Sequence, residues 1–218
     1  WWVEAGKYNV LPLDDRGGGA LMIIRRPGYE PPGNVQRFLP ATPHLERSKT
    51  PDVRNRSFEI RARVDRVSGD EGALVACGAR TGGYSMYVQD DRLVFTYNYL
   101  GDMAVVRSDQ PLPEGELDLI AHYDKTDEHA GNVRLQCVAV DGGERIELGD
   151  GPIRTLPYRQ TTYGMDIGCD NGPTITGEYA GPFTYRGALQ WVEYELWDDR
   201  QDLIKAAEVE LENQLADQ

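Results

Sequence analysis

From Ser57 onward, apolar and polar residues alternate. Phe58, Ile60, Ala62 and Val64 occupy one phase; Glu59, Arg61, Arg63 and Asp65 occupy the other. That period of two predicts a strand with one buried and one wet face. Residues 73–79 are more uniformly apolar and predict a second strand. Segments 84–89 and 93–99 flank Asp90-Asp91 and predict a tight hairpin. Further strands are predicted over 103–108, 117–123 and 133–140, with Asp141-Gly142-Gly143 turning into 145–148. Segments 161–167 and 185–196 close the series. About ten short strands with turn signals every 8–12 residues predict an all-β sandwich or barrel, not a parallel α/β sheet.

The ends read differently. Trp1, Ala5 and Tyr8 fall at i, i+4 and i+7 and predict a short helix over residues 1–10. Gly17-Gly18-Gly19 breaks the chain, 20–26 predicts a first strand, and 27–52 is a proline-punctuated extended segment with a short strand at 35–39. Asp198 or Asp199 caps a predicted helix through Leu215, with Leu203, Ala207, Leu211 and Leu215 in one stripe. The expected division is 1–19 as helix and linker, 20–197 as β-sandwich, and 198–218 as an amphipathic helix.

Composition narrows the function. The 218 residues hold 36 acidic and 23 basic side chains, a net charge of −13, so no counterion-releasing surface for nucleic acid is expected. No run approaches the ~18 apolar residues of a membrane span. Trp1-Trp2-Val3-Glu4 carries no signal-peptide features and no initiator Met, which reads as a segment of something longer. No targeting segment fixes a compartment. Cys77, Cys137 and Cys169 are three, widely spaced and without a Cys-x-x-Cys, so reduced thiols are expected and a zinc site is not.

Several residue groups invite chemistry. His122 and His129 lie among Asp124, Asp127 and Glu128, but His122 is out of phase with Leu117, Leu119, Ala121 and Tyr123, and His129 is in a polar turn. Solvated charges are the plainer reading than acid–base catalysis. Gly78, Gly82 and Gly83 read as turn glycines, since no helix follows to aim amides at a phosphate. Asp166, Asp170 and Asn171 lie in a glycine-bearing loop that offers hard oxygens to calcium, or an Asx-rich turn. The Tyr84, Tyr87, Tyr97, Tyr99 cluster offers a sugar-stacking platform, with Tyr87 and Tyr99 the candidate contacts; Tyr97 and Tyr99 share a phase with Leu93 and Phe95, which favours core packing. Trp1, Trp2 and Tyr8 form an aromatic cluster that needs a cover and predict a docking surface.

Four segments carry a family resemblance: residues 1–16 with Trp1-Trp2 and Leu11-Pro12-Leu13-Asp14-Asp15, residues 53–58, residues 72–101 with Cys77-Gly78-Ala79-Arg80-Thr81-Gly82-Gly83-Tyr84, and Pro182-Phe183-Thr184-Tyr185-Arg186-Gly187. In order and spacing the chain resembles the C-terminal region of bacterial-type arylsulfatases. The resemblance implies a concanavalin A-like, laminin-G-like jelly-roll β-sandwich with a short N-terminal and a C-terminal helix, attached to a sulfatase catalytic domain. The family's Cys-x-Pro/Ala-x-Arg motif has no counterpart, because Arg80 falls one place early after Cys77. No catalytic residue carries over. No cofactor is expected in this segment, although the parent family uses calcium. The expected function is a non-catalytic accessory domain that packs on the upstream catalytic domain and supports the substrate entrance or an oligomer. The alternative is a carbohydrate-binding module with a glycan partner. A glycoside hydrolase would need carboxylates facing across a sugar, whereas Glu193 and Glu195 sit side by side on one strand face.

Overall fold

Backbone pairing sorts the alternating segments into two antiparallel sheets. The computed structural model describes residues 33–127, 129–156 and 163–198. All belong to one compact unit, Pro32–Asp199. The strands are β1 (Val35–Phe38), β2 (Phe58–Arg66), β3 (Gly72–Ala79), β4 (Gly82–Gln89), β5 (Arg92–Tyr99), β6 (Asp102–Arg107), β7 (Gly115–Lys125), β8 (Ala130–Ala139), β9 (Ile146–Arg154), β10 (Met165–Ile167) and β11 (Ala188–Leu196). One sheet runs β1-β11-β2-β7-β8-β9 and the other β10-β3-β4-β5-β6.

The inward phase of each strand fills the space between the sheets. Phe58, Ile60, Ala62 and Val64 of β2 meet Leu117, Leu119, Ala121 and Tyr123 of β7, and Tyr84, Met86, Leu93 and Phe95 face them from the other sheet. Each Val, Leu, Ile, Phe or Met among them contributes about 1.5–3 kcal/mol by leaving water. This is the all-β sandwich that the alternation predicts. The helices expected over 1–10 and 198–215, the strand at 20–26 and the docking cluster Trp1, Trp2 and Tyr8 lie outside the described residues.

Local chemistry fixes the corners. Asp90 and Asp91 both have positive φ, 52° and 55°, as a two-residue type I′ hairpin requires. The Asp91 carboxylate then accepts from the Gly69 amide, the Ser68 hydroxyl and the buried Arg66 guanidinium. Arg66 also donates to the carbonyls of Leu112 and Pro113, so one arginine ties the end of β2 to the hairpin and the 108–114 loop.

Two predicted boundaries shift. β9 runs on to Arg154 where only 145–148 was expected, because a bulge opposite Leu135 and Gln136 resets its phase. β11 begins at Ala188, not 185. The amides of Tyr185 and Arg186 bond Gly168 and Glu71 instead of the ladder.

Segment 168–187 forms a third layer outside the five-stranded sheet. Tyr179 and Phe183 stack at 4.4 Å and cover Tyr87, Val94 and Ala73 in a second small core. The segment is threaded tightly. A Cβ on Gly72 would lie 2.2 Å from the Tyr185 Cα, and the Ala73 amide donates to the Phe183 carbonyl.

Candidate functional site

The outer face of the six-stranded sheet carries the densest polar chemistry among the described residues. The register aligns its outward side chains in rows across the strands. One row is Trp191, Arg63, Asp118 and Val138. The next is Arg37, Glu193, Arg61, Ile120, Gln136 and Glu147. The third is Val35, Glu195, Glu59, His122, Arg134 and Asp150. Opposite charges fall beside one another both along and across strands, which stabilises the pairing.

Trp191 anchors one end. The Arg37 guanidinium carbon lies 4.4 Å from its ring centroid and that of Arg63 lies 4.8 Å away, within cation–π range. Each arginine is held by a carboxylate as well. Arg37 donates to Glu193 at 2.8 Å, and Arg63 makes a two-point contact with Asp118 at 2.8 and 2.9 Å. The arginine heads remain reachable, with Arg37 54% and Arg63 30% exposed.

Charge organises the centre too. His122 contacts Glu59 at 3.1 Å through Nδ1 and Asp124 at 3.0 Å through Nε2. Trp197 lies edge-on to its ring at 5.2 Å. Glu59 also accepts from Arg61 at 2.7 Å. Arg145, at the foot of the β8–β9 turn, comes within 3.5 Å of Glu59 and so reaches across β8 and β7. Burial opposes ionisation of Glu59, yet bonds from His122 and Arg61 and the charges of Arg61 and Arg145 outweigh it and lower its pKa to about 2. The His122 pKa is raised, first by its bond to Glu59 and then by Asp124, against the opposing effect of burial. Ile120 is fully buried at the centre of this face, and Gln136 is 2% exposed. Around them, Arg61 Nε, Arg134 Nε and Gln136 Oε1 are buried without a hydrogen-bond partner. The reachable part of this face is its Trp191 end, where Arg37 and Arg63 can meet polar ligand atoms in fixed geometry. Both ring nitrogens of His122 are engaged by carboxylates.

The tyrosine platform is a correction. Tyr87 lies in the outward phase of β4, but the 168–187 layer buries it completely, with its hydroxyl 3.3 Å from Thr96. A fully buried ring cannot stack on a sugar. Tyr99 is half-buried and carries the Arg154 guanidinium over its ring at 4.3 Å. Tyr84 and Tyr97 pack into the main core. Trp191 is the aromatic that the pattern analysis passes over. It stands in the polar phase of β11, out of step with Val192, Tyr194 and Leu196, and that mismatch is its sequence signal.

The loop carboxylates have protein partners. Asp166 accepts from the Asn171 amide at 3.2 Å and faces His44 Nδ1 at 2.8 Å. Asp170 accepts from the Tyr179 hydroxyl at 2.7 Å, and burial raises its pKa. The Asn171 side chain lies 3.0 Å from Cys169 Sγ. Among the described residues no three metal-ligating side chains gather into a set. Cys77, Cys137 and Cys169 form no disulfide; Cys137 is buried, while Cys77 and Cys169 are only partly so. His129 sits in its polar turn with its amide on Asp127. No helix among the described residues is long and apolar enough to cross a membrane.

The molecule is thus a two-sheet antiparallel sandwich with a charge-alternating, tryptophan-bearing outer face. No protein-family profile matches the sequence, and no curated protein matches it. Solved structures offer distant likenesses. The CBM40 module of the Ruminococcus gnavus IT-sialidase superposes with a TM-score of 0.48 at 12% identity, covering 79% of this chain and 97% of that one. The same module bound to α2,6-sialyllactose gives 0.47 at 12% over the same shares. Domains LG4-5 of the mouse laminin α1 chain give 0.45 at 13%, over 74% of this chain and 42% of that one. At such identities the chemistry of the face has to be read from its own residues.

Proposed function

We propose that this chain is a non-catalytic recognition module that binds carbohydrate on the outer face of its six-stranded sheet. The observation that carries the reading is Trp191, a partly exposed aromatic set among Arg37, Arg63, Glu193 and Asp118. Sugar sites combine one amphipathic aromatic surface with a few rigidly held polar groups. Here those groups are fixed by mutual ion pairs on regular strands, so little side-chain freedom is lost on binding. Trp191→Ala in the 218-residue chain tests it by glycan array followed by calorimetric titration. The expected result is a loss of affinity of roughly tenfold or more with the melting transition nearly in place. Glycan binding untouched by this change contradicts the reading.

The concanavalin A-like type of sandwich and the accessory role beside a sulfatase catalytic domain form the second reading. Its support is the four sequence segments, of which three meet in the fold, Phe58 packing near Tyr84 at 6.3 Å. Gly72 and Ala73 pack directly on residues 183–185. That contact makes them one packing unit and brings no sulfatase chemistry with it. An upstream Cys-x-Pro/Ala-x-Arg motif in the gene supports this reading, and its absence removes it. Calcium at Asp166, Asp170 and Asn171 is testable by titration; binding there has to displace the Tyr179 and Asn171 donors.

A further inference from the structure

We infer that the ligand of this face is an uncharged oligosaccharide and that the face rejects acidic ones. The inference rests on the carbohydrate reading above and adds the ligand's charge class. Five arginines meet on the three rows: Arg37, Arg61, Arg63 and Arg134 in the rows themselves, and Arg145 reaching in. Seven carboxylates accompany them, including Asp124 beside His122. Every one of these guanidinium groups already contacts a carboxylate: Glu193, Glu59, Asp118, Asp124 and Glu59 again. A carboxylate or sulfate on a ligand therefore meets a fixed negative charge beside each cation it approaches. Glu195 and Asp150 stand exposed at the edge of the same surface.

A sugar hydroxyl has different requirements. It donates and accepts at once, so it can bond a carboxylate oxygen and a guanidinium N–H of one existing pair without breaking it. An uncharged ring also suits Trp191, because its polar neighbours are already neutralised in pairs.

The test titrates the 218-residue chain with neutral gluco-, manno- and galacto-oligosaccharides, and separately with sialyllactose and a sulfated disaccharide, at low and at physiological salt. The expected result is binding of a neutral oligosaccharide that changes less than twofold with salt, and binding of either acidic sugar weaker by roughly tenfold or more. Binding confined to acidic sugars and strengthened at low salt overturns the inference while leaving the carbohydrate reading in place. Binding of no sugar at all overturns both. A second arm uses Glu195→Gln, on the strand that carries Trp191. If fixed negative charge causes the rejection, affinity for sialyllactose should rise about threefold at low salt, for a charge some 7 Å away. An unchanged rejection overturns the electrostatic cause.

Discussion

On the outer sheet face, His122 sits between Glu59 and Asp124, and Glu59 also faces Arg61 and Arg145. Arg134, paired with Asp124, closes the group from β8. The raised His122 pKa means that the folded chain holds this proton more tightly than the unfolded one. That stabilisation is complete below the unfolded value of 6.5 and is lost as pH rises through the folded value. Glu59 has the opposite sign. Its contribution is complete above 4.5 and is lost as pH falls toward about 2. Urea unfolding across pH should therefore place the contribution of this pair at its maximum between those two limits. His122→Gln should flatten the alkaline fall, and an alkaline limb identical to the parent's contradicts the assignment. Tyr87 makes a second residue-scale case. Tyr87→Ala opens a cavity under Tyr179 and Phe183 and should cost about 3–5 kcal/mol, read by urea unfolding. Intact stability with lost glycan binding would return Tyr87 to the ligand site.

At the scale of elements, the corners hold the register. Asp91→Ala leaves the buried Arg66 guanidinium without its carboxylate and should move the equilibrium unfolding curve to lower denaturant. An unchanged midpoint contradicts a pinning role. Gly72→Ala, with φ of +136° and the Tyr185 backbone in the way, should detach the 168–187 layer and expose Tyr87 to solvent. Quenching of tyrosine emission by a neutral quencher reads this directly. Period-two alternation made β2, β4, β5, β7 and β8 legible in the sequence, and Asp90-Asp91 marked its hairpin. The 168–187 layer was not legible, because it has no regular period. Its glycines and Pro182 look like loop, while its burial depends on Tyr179 and Phe183 meeting Tyr87 across nearly a hundred residues. The same contact explains why the tyrosine platform misleads. Phase places Tyr87 on the outer face correctly, and only the tertiary layer decides that this face is covered. Trp191 was legible in principle as an aromatic in a polar phase. Its two arginines come from β1 and β2, so the cluster exists only once the strand order is known.

At the scale of the whole molecule, the two sheets differ in what lies outside them. The five-stranded sheet is roofed in part by the 168–187 layer and keeps Tyr87 dry. The six-stranded sheet presents rows of paired charge with Trp191 at one end and the Arg145 arm at the other. A chain of net charge −13 repels acidic ligands at a distance as well as at contact, which agrees with an uncharged ligand. The most direct test is amide and indole chemical-shift mapping by NMR, titrating the 218-residue chain with the tightest neutral oligosaccharide. The account predicts that shifts cluster on the Trp191 indole and on β11, β2, β7 and β8 at the three outward rows. Shifts confined to the 168–187 layer and the five-stranded sheet would contradict it.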